Sequence, residues 1–129
     1  MCQSGKYFFI HNSNNDIYLY DSKTGTIIEK IFGAPYSTKI VKFSGNSRKI
    51  IYGNTQLLCM WDIVKCGITM RTQNWKNINC FDLNYTGDQF AIGTYNGSIY
   101  VMSFVNESKC SQIEIKRHKT CIIAICYHK

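Results

Sequence analysis

Four side chains near the carboxyl end of the sequence could bind a metal: His118, Cys121, Cys126 and His128, which fall within eleven residues. Imidazole nitrogen and thiolate sulfur are the ligands that Zn²⁺ prefers, usually at CxxC-type spacing. The apolar run 121–127 is typical of a strand, on which Cys126 and His128 share one face while Cys121 faces the other way. The pattern therefore favours a structural histidine with buried thiols over a zinc site, and no cofactor is predicted.

Motifs for catalysis are missing from the sequence. It has no GxSxG, no phosphate-binding loop and no HExxH, and its eight acidic residues offer few candidates for acid–base chemistry. The seven cysteines are an odd number without a CxxC pair, so we expect reduced thiols that pack as small hydrophobes. The sequence predicts a protein that is not an enzyme and that is intracellular, either cytoplasmic or nuclear.

A membrane partner is not predicted either. The longest apolar run, 121–127, is far shorter than the roughly 20 residues that a membrane span needs. The amino-terminal residues show no secretory signal.

Positive charge is the strongest hint about partners. The 129 residues carry a net charge of +7, which attracts acidic partners in general. Lys116, Arg117 and Lys119 form a compact basic loop, and Arg48 lies at a turn between strands. Three tyrosines in other predicted loops could stack on nucleic-acid bases: Tyr36, Tyr85 and Tyr95. A solvated surface explains the same residues, so the charge does not select RNA over an acidic protein.

Trp75 lies in the predicted loop 73–77 and is the candidate anchor for a protein partner. A tryptophan in a connecting loop is either an interface hot spot or a buried wedge between packed elements. The wedge is favoured, because tryptophan is seldom left fully exposed.

Short strands must position these residues, since helix signals are nearly absent. Apolar runs rich in Tyr, Ile, Phe and Val alternate with Gly, Asn, Asp and Ser turns, which is the pattern of antiparallel strands. The predicted strands are 6–11, 17–20, 26–32, 40–43, 49–53, 57–61, 68–72, 78–83, 89–94, 99–104, 111–115 and 122–127.

The aromatic strands recur at a nearly constant interval. Tyr20 and Trp61 are 41 residues apart, and Trp61 and Ser103 are 42 apart, each at the end of a short apolar strand. Tyr20 is followed by Asp21 and Trp61 by Asp62. A period of roughly 40–45 residues with four strands indicates a propeller-type repeat.

In this spacing the sequence resembles a run of degenerate WD40 repeats. That family opens each repeat with Gly-His, followed by apolar or aromatic residues four, seven and nine positions later. His118 fits in part, because Ile122, Ile125 and Tyr127 lie at those offsets. The resemblance gives Tyr20, Asp21, Trp61, Asp62 and His118 structural roles within the repeats.

The polar network of the family is incomplete in this sequence. Trp61 has no turn aspartate in 54–56 and no histidine at Ala34, and Tyr20 replaces the tryptophan in the first period. A half-satisfied buried network costs stability. We therefore expect the repeats to be held together mainly by apolar stacking between sheets.

The resemblance implies an all-β fold, a partial WD40-like β-propeller of about three four-stranded antiparallel blades, either an open arc or a fragment of a larger ring. A single repeat domain would cover 1–129, with periods of about 1–33, 34–73 and 74–116 and the start of a fourth at 117–129. Three blades fall short of the usual minimum of about four for a ring, so uncovered blade edges could allow self-association.

The function implied is a non-catalytic protein-interaction scaffold in an intracellular multiprotein complex. The alternative is an RNA-associated propeller of a ribonucleoprotein or ribosome-assembly particle that uses the basic loops.

Overall fold

The structure is a computed structural model that describes residues 2, 4–31, 36–72, 75, 77–106, 109–116 and 118–128. Predicted features at Ala34, at residue 32 and at Arg117 lie outside the described residues. All regular elements within the described part are strands. They are β1 (Tyr7–His11), β2 (Ile17–Asp21), β3 (Ile27–Ile31), β4 (Ile40–Phe43), β5 (Lys49–Gly53), β6 (Leu58–Asp62), β7 (Gly67–Arg71), β8 (Ile78–Leu83), β9 (Gln89–Thr94), β10 (Ser98–Asn106) and β11 (Lys109–Lys116).

The strands form three separate antiparallel sheets, each an up-and-down meander. Sheet 1 has the order β1-β2-β3, sheet 2 has β4-β5-β6-β7 and sheet 3 has β8-β9-β10-β11. The predicted all-β fold with about three antiparallel blades in an open arc is thereby confirmed. Sheet 1 has three strands among the described residues, one fewer than the other two.

Apolar side chains between the sheets form the core. On sheet 2, Ile50 and Trp61 point toward sheet 1 and pack with Ile17 and Leu19. The neighbouring residues on the same strands, such as Ile51 next to Ile50, have side chains that point toward sheet 3. Sheet 2 is therefore buried on both faces. Among the described residues, sheets 1 and 3 each pack against one other sheet, and the segment 121–128 contacts the outer face of sheet 3. Successive strand residues face opposite sides, so one sheet can contribute to both cores.

The repeat register differs from the prediction by one residue in sheet 3. Trp61 pairs with Ile50 in sheet 2, and the matching pair in sheet 3 is Met102 with Phe90. Met102, not Ser103, therefore holds the position of Tyr20 and Trp61. A shift of one residue turns a side chain to the other face of a sheet, and the buried face requires the apolar methionine.

The aspartates that end β2 and β6 cap the tight turns that follow these strands. The Asp21 carboxylate accepts hydrogen bonds from the Lys23 and Thr24 N–H groups at 2.8 and 3.0 Å. Asp62 accepts the equivalent bonds from Val64 and Lys65 at 2.9 and 3.1 Å. Asp and Asn favour this arrangement because their short side chains reach the backbone two and three residues on. The repeated Asp thus has a local structural role in both turns.

The predicted strand 122–127 is not a strand in the structure. The segment lies against sheet 3, where the Ile122 N–H donates to the Thr94 carbonyl at 3.0 Å. The Asn79 amide donates to the Ile122 carbonyl at 2.8 Å. A strand needs a backbone ladder with a neighbour, and no strand within the described residues pairs with this segment.

Candidate interaction face

The connections of the three sheets divide between two opposite ends. In a meander, successive turns alternate between the two ends of the sheet. In a four-stranded sheet, the turn between the second and third strands therefore lies at the same end as the loop that connects the fourth strand to the next sheet. We call this end the connection face and the other the hairpin face. The described connection-face residues are 12–16, 36–39, 54–57, 75, 77, 95–97 and 118–120, and the hairpin-face turns are 22–26, 44–48, 63–66 and 84–88.

Hydrogen bonds to backbone carbonyl groups hold the connection face together. The Trp75 N–H donates to the Gln56 carbonyl at 3.2 Å, and the Tyr95 N–H donates to the Asn77 carbonyl at 2.9 Å. The Asn54 side-chain amide donates to the Tyr36 carbonyl at 2.9 Å. Each of these bonds ties a connecting segment to a hairpin or to the next sheet, so the loops are fixed by the scaffold.

Trp75 lies at the connection face but is partly buried. Its ring meets the Tyr100 ring edge-on, with centroids 4.8 Å apart and the planes at 68°. It packs against the core between sheets 2 and 3. This placement is that of a wedge between sheets, so its truncation would disturb the core as well as any interface.

Exposed tyrosine and lysine side chains share this face. Tyr36 is 85% exposed and Tyr95 is 52% exposed. Lys39, Lys116 and Lys119 are also exposed. Of the predicted basic loop, Arg117 lies outside the described residues.

The loop that carries Lys119 crosses directly over the hairpin that carries Tyr95. A Cβ atom at Gly97 would collide with the backbone carbonyl groups of His118 and Thr120. Gly97 also has a φ of +86°, a conformation that side chains disfavour. The glycine therefore allows the close approach that brings Lys119 and Tyr95 to one region. The His118 side chain is exposed, although the sequence resemblance gives it a role within the repeat.

Arg48 is separated from the other candidate residues, because it lies at the hairpin face. Its Nε is 3.2 Å from Oδ2 of Asp62, a carboxylate that is 2% exposed. Burial raises the pKa of Asp62, but hydrogen bonds from the Lys65 and Val64 N–H groups and the Arg48 guanidinium outweigh it, so that pKa lies below its ordinary value. Arg48 thus stabilises a buried charge within the chain.

The cysteine and histidine side chains near the carboxyl end do not converge. The Cys121 thiol accepts from the Asn79 amide at 3.3 Å, whereas Cys126 and His128 line a cavity of about 380 Å³ beside Phe9 and Asp82. No group of three His, Cys, Asp or Glu side chains in the described part of the chain is placed to hold a metal ion. Among those same residues, no helix has the length and apolar character needed to cross a bilayer.

Solved structures share this arrangement of sheets. A chain of a mitotic checkpoint complex superposes with a TM-score of 0.72 at 10% identity, over 92% of this chain and 38% of that one. The Cps50 (Swd1) β-propeller domain of Myceliophteria thermophila gives 0.72 at 11% identity, over 89% and 35%. The chain has a WD40-type β-propeller fold. It spans well under half the length of these propeller chains.

The propeller fold confirms the resemblance that the repeat spacing indicated. At identities of 10 and 11% the similarity concerns the fold alone. No protein-family model and no curated protein matches the sequence.

Proposed function

We propose that this chain is a non-catalytic protein-interaction scaffold of an intracellular multiprotein complex and that the connection face is its binding surface. The observation that carries the proposal is the placement of Tyr36, Tyr95, Lys116 and Lys119 at one end of the sheets. Hydrogen bonds to the Tyr36 carbonyl and from the Tyr95 N–H hold the two tyrosine segments in place. A surface ordered before binding loses little conformational entropy when the partner arrives.

The chemistry of this face favours an acidic protein segment. Tyrosine supplies large contact area with few rotatable bonds and is enriched among interface hot spots. Lysine side chains steer an oppositely charged partner and raise its rate of association. Both propeller chains described above are more than twice as long as this chain, and the first belongs to a mitotic checkpoint complex, which supports a role among protein partners.

The proposal is tested by charge reversal with a matched control. Lys116→Glu combined with Lys119→Glu changes the connection face, and Lys6→Glu combined with Lys23→Glu makes the same change in net charge at the hairpin end. We expect the first pair to abolish recovery of protein partners from nuclease-treated extract by affinity purification, and the second pair to leave it intact. Equal recovery with both pairs would refute the assignment of the connection face.

RNA binding is the second candidate, and the two exposed tyrosines beside lysines favour it. Aromatic side chains stack on unpaired bases, and lysines neutralise phosphates, so affinity falls steeply with salt. The discriminating variant is Tyr36→Ala combined with Tyr95→Ala. A short single-stranded RNA whose affinity is salt-dependent and drops roughly tenfold or more in this variant would support RNA over an acidic protein.

A further inference from the structure

A cavity of about 490 Å³ opens between sheets 2 and 3 at the hairpin face, and we call it the hairpin-face cavity. Sheet 2 supplies Met60, Asp62 and Met70 to its wall, and sheet 3 with its turns supplies Asp88 and Phe104. A volume of this size lies in the range of roughly 300–1,000 Å³ that is usual for ligand sites. The cavity is separate from the connection face, which lies at the opposite end of the same sheets.

Hydrogen bonds between two turns close one side of the cavity. The Asn46 N–H, in the turn after β4, donates to the Tyr85 carbonyl, in the turn after β8, at 2.8 Å. The Lys49 ammonium donates to the Gly87 carbonyl at 3.0 Å. These bonds tie the first hairpin of sheet 2 to the first hairpin of sheet 3, so the walls are fixed before a ligand arrives. A site with fixed walls loses little conformational entropy on binding.

The floor of the cavity is the edge of the apolar core between sheets 2 and 3. Met60 pairs with Met70 across β6 and β7, and both side chains belong to that core. From sheet 3, the Phe104 ring stacks on the Phe90 ring with centroids 5.4 Å apart. Methionine side chains are flexible and polarisable, so they adapt to the shape of an apolar group that binds them. This floor therefore suits a bulky apolar side chain.

Charged side chains surround this floor, because the strand pattern changes from apolar to charged at the hairpin end. Asp62 is two residues from Met60 and therefore lies on the same face of sheet 2. It pairs with Lys49 across β5 and β6. Arg48, whose side chain is half exposed, and the exposed Lys65 complete the rim. The cavity thus combines an apolar floor with a rim that carries three cations.

The two carboxylates of the cavity are held by groups of the chain itself. Asp62 accepts the turn and guanidinium hydrogen bonds described above. Asp88 accepts from the Thr86 hydroxyl at 2.7 Å, and hydrogen bonds from Asn84 and Thr86 keep the pKa of Asp88 below its ordinary value. Lys49 gives one of its three N–H donors to a neutral carbonyl. With three cations and two carboxylates, the lining carries a net charge of +1.

The two parts of the lining determine which ligand fits. A nucleic-acid strand carries a phosphate at every nucleotide, and its backbone would be repelled by Asp62 and Asp88. The Phe104 ring has one face covered by Phe90, which leaves less of it for stacking on bases. A peptide segment can place an isolated carboxylate beside the cations and an apolar side chain on the floor. Its charge and its apolar surface then both match the cavity.

We propose that the hairpin-face cavity binds an acidic peptide segment of a partner protein. A bulky apolar side chain of the segment lies on Met60, Met70 and Phe104, and a neighbouring carboxylate lies beside Lys49 and Lys65. This site goes beyond the function proposed above, because it is at the opposite end of the sheets from the connection face. The chain can therefore hold two protein segments at the same time.

Selection from a random peptide library displayed on phage identifies the chemistry of the ligand. The target is the full chain carrying Lys116→Glu and Lys119→Glu, which weakens ligands of the connection face and leaves the hairpin-face cavity unchanged. We expect the enriched peptides to carry an aspartate or glutamate next to a leucine, phenylalanine or methionine. Enrichment of peptides that lack this pair, or no enrichment, would overturn the proposal.

Variants of the full chain test the rim and the floor separately. Lys49→Glu combined with Lys65→Glu reverses charge on the rim, and Lys6→Glu combined with Lys23→Glu makes the same change in net charge at the hairpin end of sheet 1. Fluorescence polarisation of an enriched, dye-labelled peptide should show a loss of affinity of roughly tenfold or more for the first pair and under about twofold for the second. Met70→Gln, which makes the floor polar, should also lose roughly tenfold. Equal affinity for all three variants would overturn the proposal.

Methionine-methyl NMR locates the peptide on the wild-type chain, so the result does not depend on the stability of any variant. The peptide should shift the methyl resonances of Met60 and Met70 more than that of Met102, which lies in the same core but does not line the cavity. The same shifts in the chain carrying Lys116→Glu and Lys119→Glu separate this site from the connection face, whatever becomes of the function proposed there. Unchanged Met60 and Met70 resonances would overturn the proposal. So would a short single-stranded RNA that shifts both and displaces the peptide.

Discussion

Trp61→Phe is expected to leave the free energy of unfolding almost unchanged, although Trp61 is 7% exposed and lies in the core between sheets 1 and 2. Its indole Nε1 is buried and has no hydrogen-bond partner within the described residues. Replacing the indole therefore removes the energetic cost of an unpaired buried N–H group as well as some of the apolar contacts of the ring.

The two effects are of similar size. Replacing the indole by a phenyl ring gives up roughly one or two buried CH₂ equivalents, about 1–2 kcal/mol. A buried donor left without an acceptor costs about 1–3 kcal/mol, and phenylalanine eliminates that cost. The sum lies within about 1 kcal/mol of zero, whereas Trp61→Ala, which removes the whole ring, should cost about 3–5 kcal/mol.

Urea unfolding followed by far-ultraviolet circular dichroism measures both variants, since backbone ellipticity does not depend on the lost fluorophore. Phe81→Leu is the control, because Phe81 is buried in the other core, has no polar atom and should cost about 1–2 kcal/mol. A loss above about 3 kcal/mol in Trp61→Phe would show that the indole N–H is paired and would refute the reasoning.

Asp62→Asn should lower the free energy of unfolding by about 1–2 kcal/mol at neutral pH, because it leaves Arg48 without a charged partner. The folded pKa of Asp62 lies below its ordinary value, so the advantage of the wild type is complete above about pH 4 and is lost as pH falls through the folded pKa. Urea titrations at several pH values measure this, and a constant difference would contradict it. Gly93→Ala places a Cβ 2.5 Å from the Ile122 side chain and should speed hydrogen exchange at Ile122; unchanged exchange would argue against that contact. Burial raises the pKa of the Cys59 thiol, so mass spectrometry should find it alkylated only after unfolding, and rapid native labelling would contradict its burial.

The strands were predictable because their signals are local. Runs of Tyr, Ile and Val bounded by Gly and Asn gave the eleven strands of the structure to within one or two residues at most of their ends. The strand predicted at 122–127 was wrong because an apolar run becomes a strand only when a neighbouring strand forms backbone hydrogen bonds with it. The mistaken equivalence of Ser103 with Trp61 arose because spacing alone tolerates an error of one residue. The structure corrects it, because Met102 is on the buried face.

The candidate surface was predictable only in part. The sequence identified Tyr95, Lys116 and Lys119 as loop residues, but it grouped Arg48 with them because composition does not say at which end of a sheet a turn lies. The order of turns in a meander does determine the end at which each turn lies, and it could have separated Arg48 from Tyr95, Lys116 and Lys119. Tyr36, Tyr85 and Tyr95 were all expected in exposed loops, and each is exposed, but the sequence did not separate Tyr85, at the hairpin face, from the other two.

The same apolar contacts between neighbouring sheets determine both the stability of the fold and the faces that remain available to a partner. Among the described residues, sheet 2 packs against another sheet on each of its two faces, and sheets 1 and 3 do so on one face. In a repeat architecture stability is close to a sum of such neighbour contacts, and sheets 1 and 3 each lack one. Anything that covers both outward faces favours the folded state by mass action. Because the Trp61 indole N–H is buried without a hydrogen-bond partner among the described residues, we expect apolar contacts between neighbouring sheets to supply most of the cohesion.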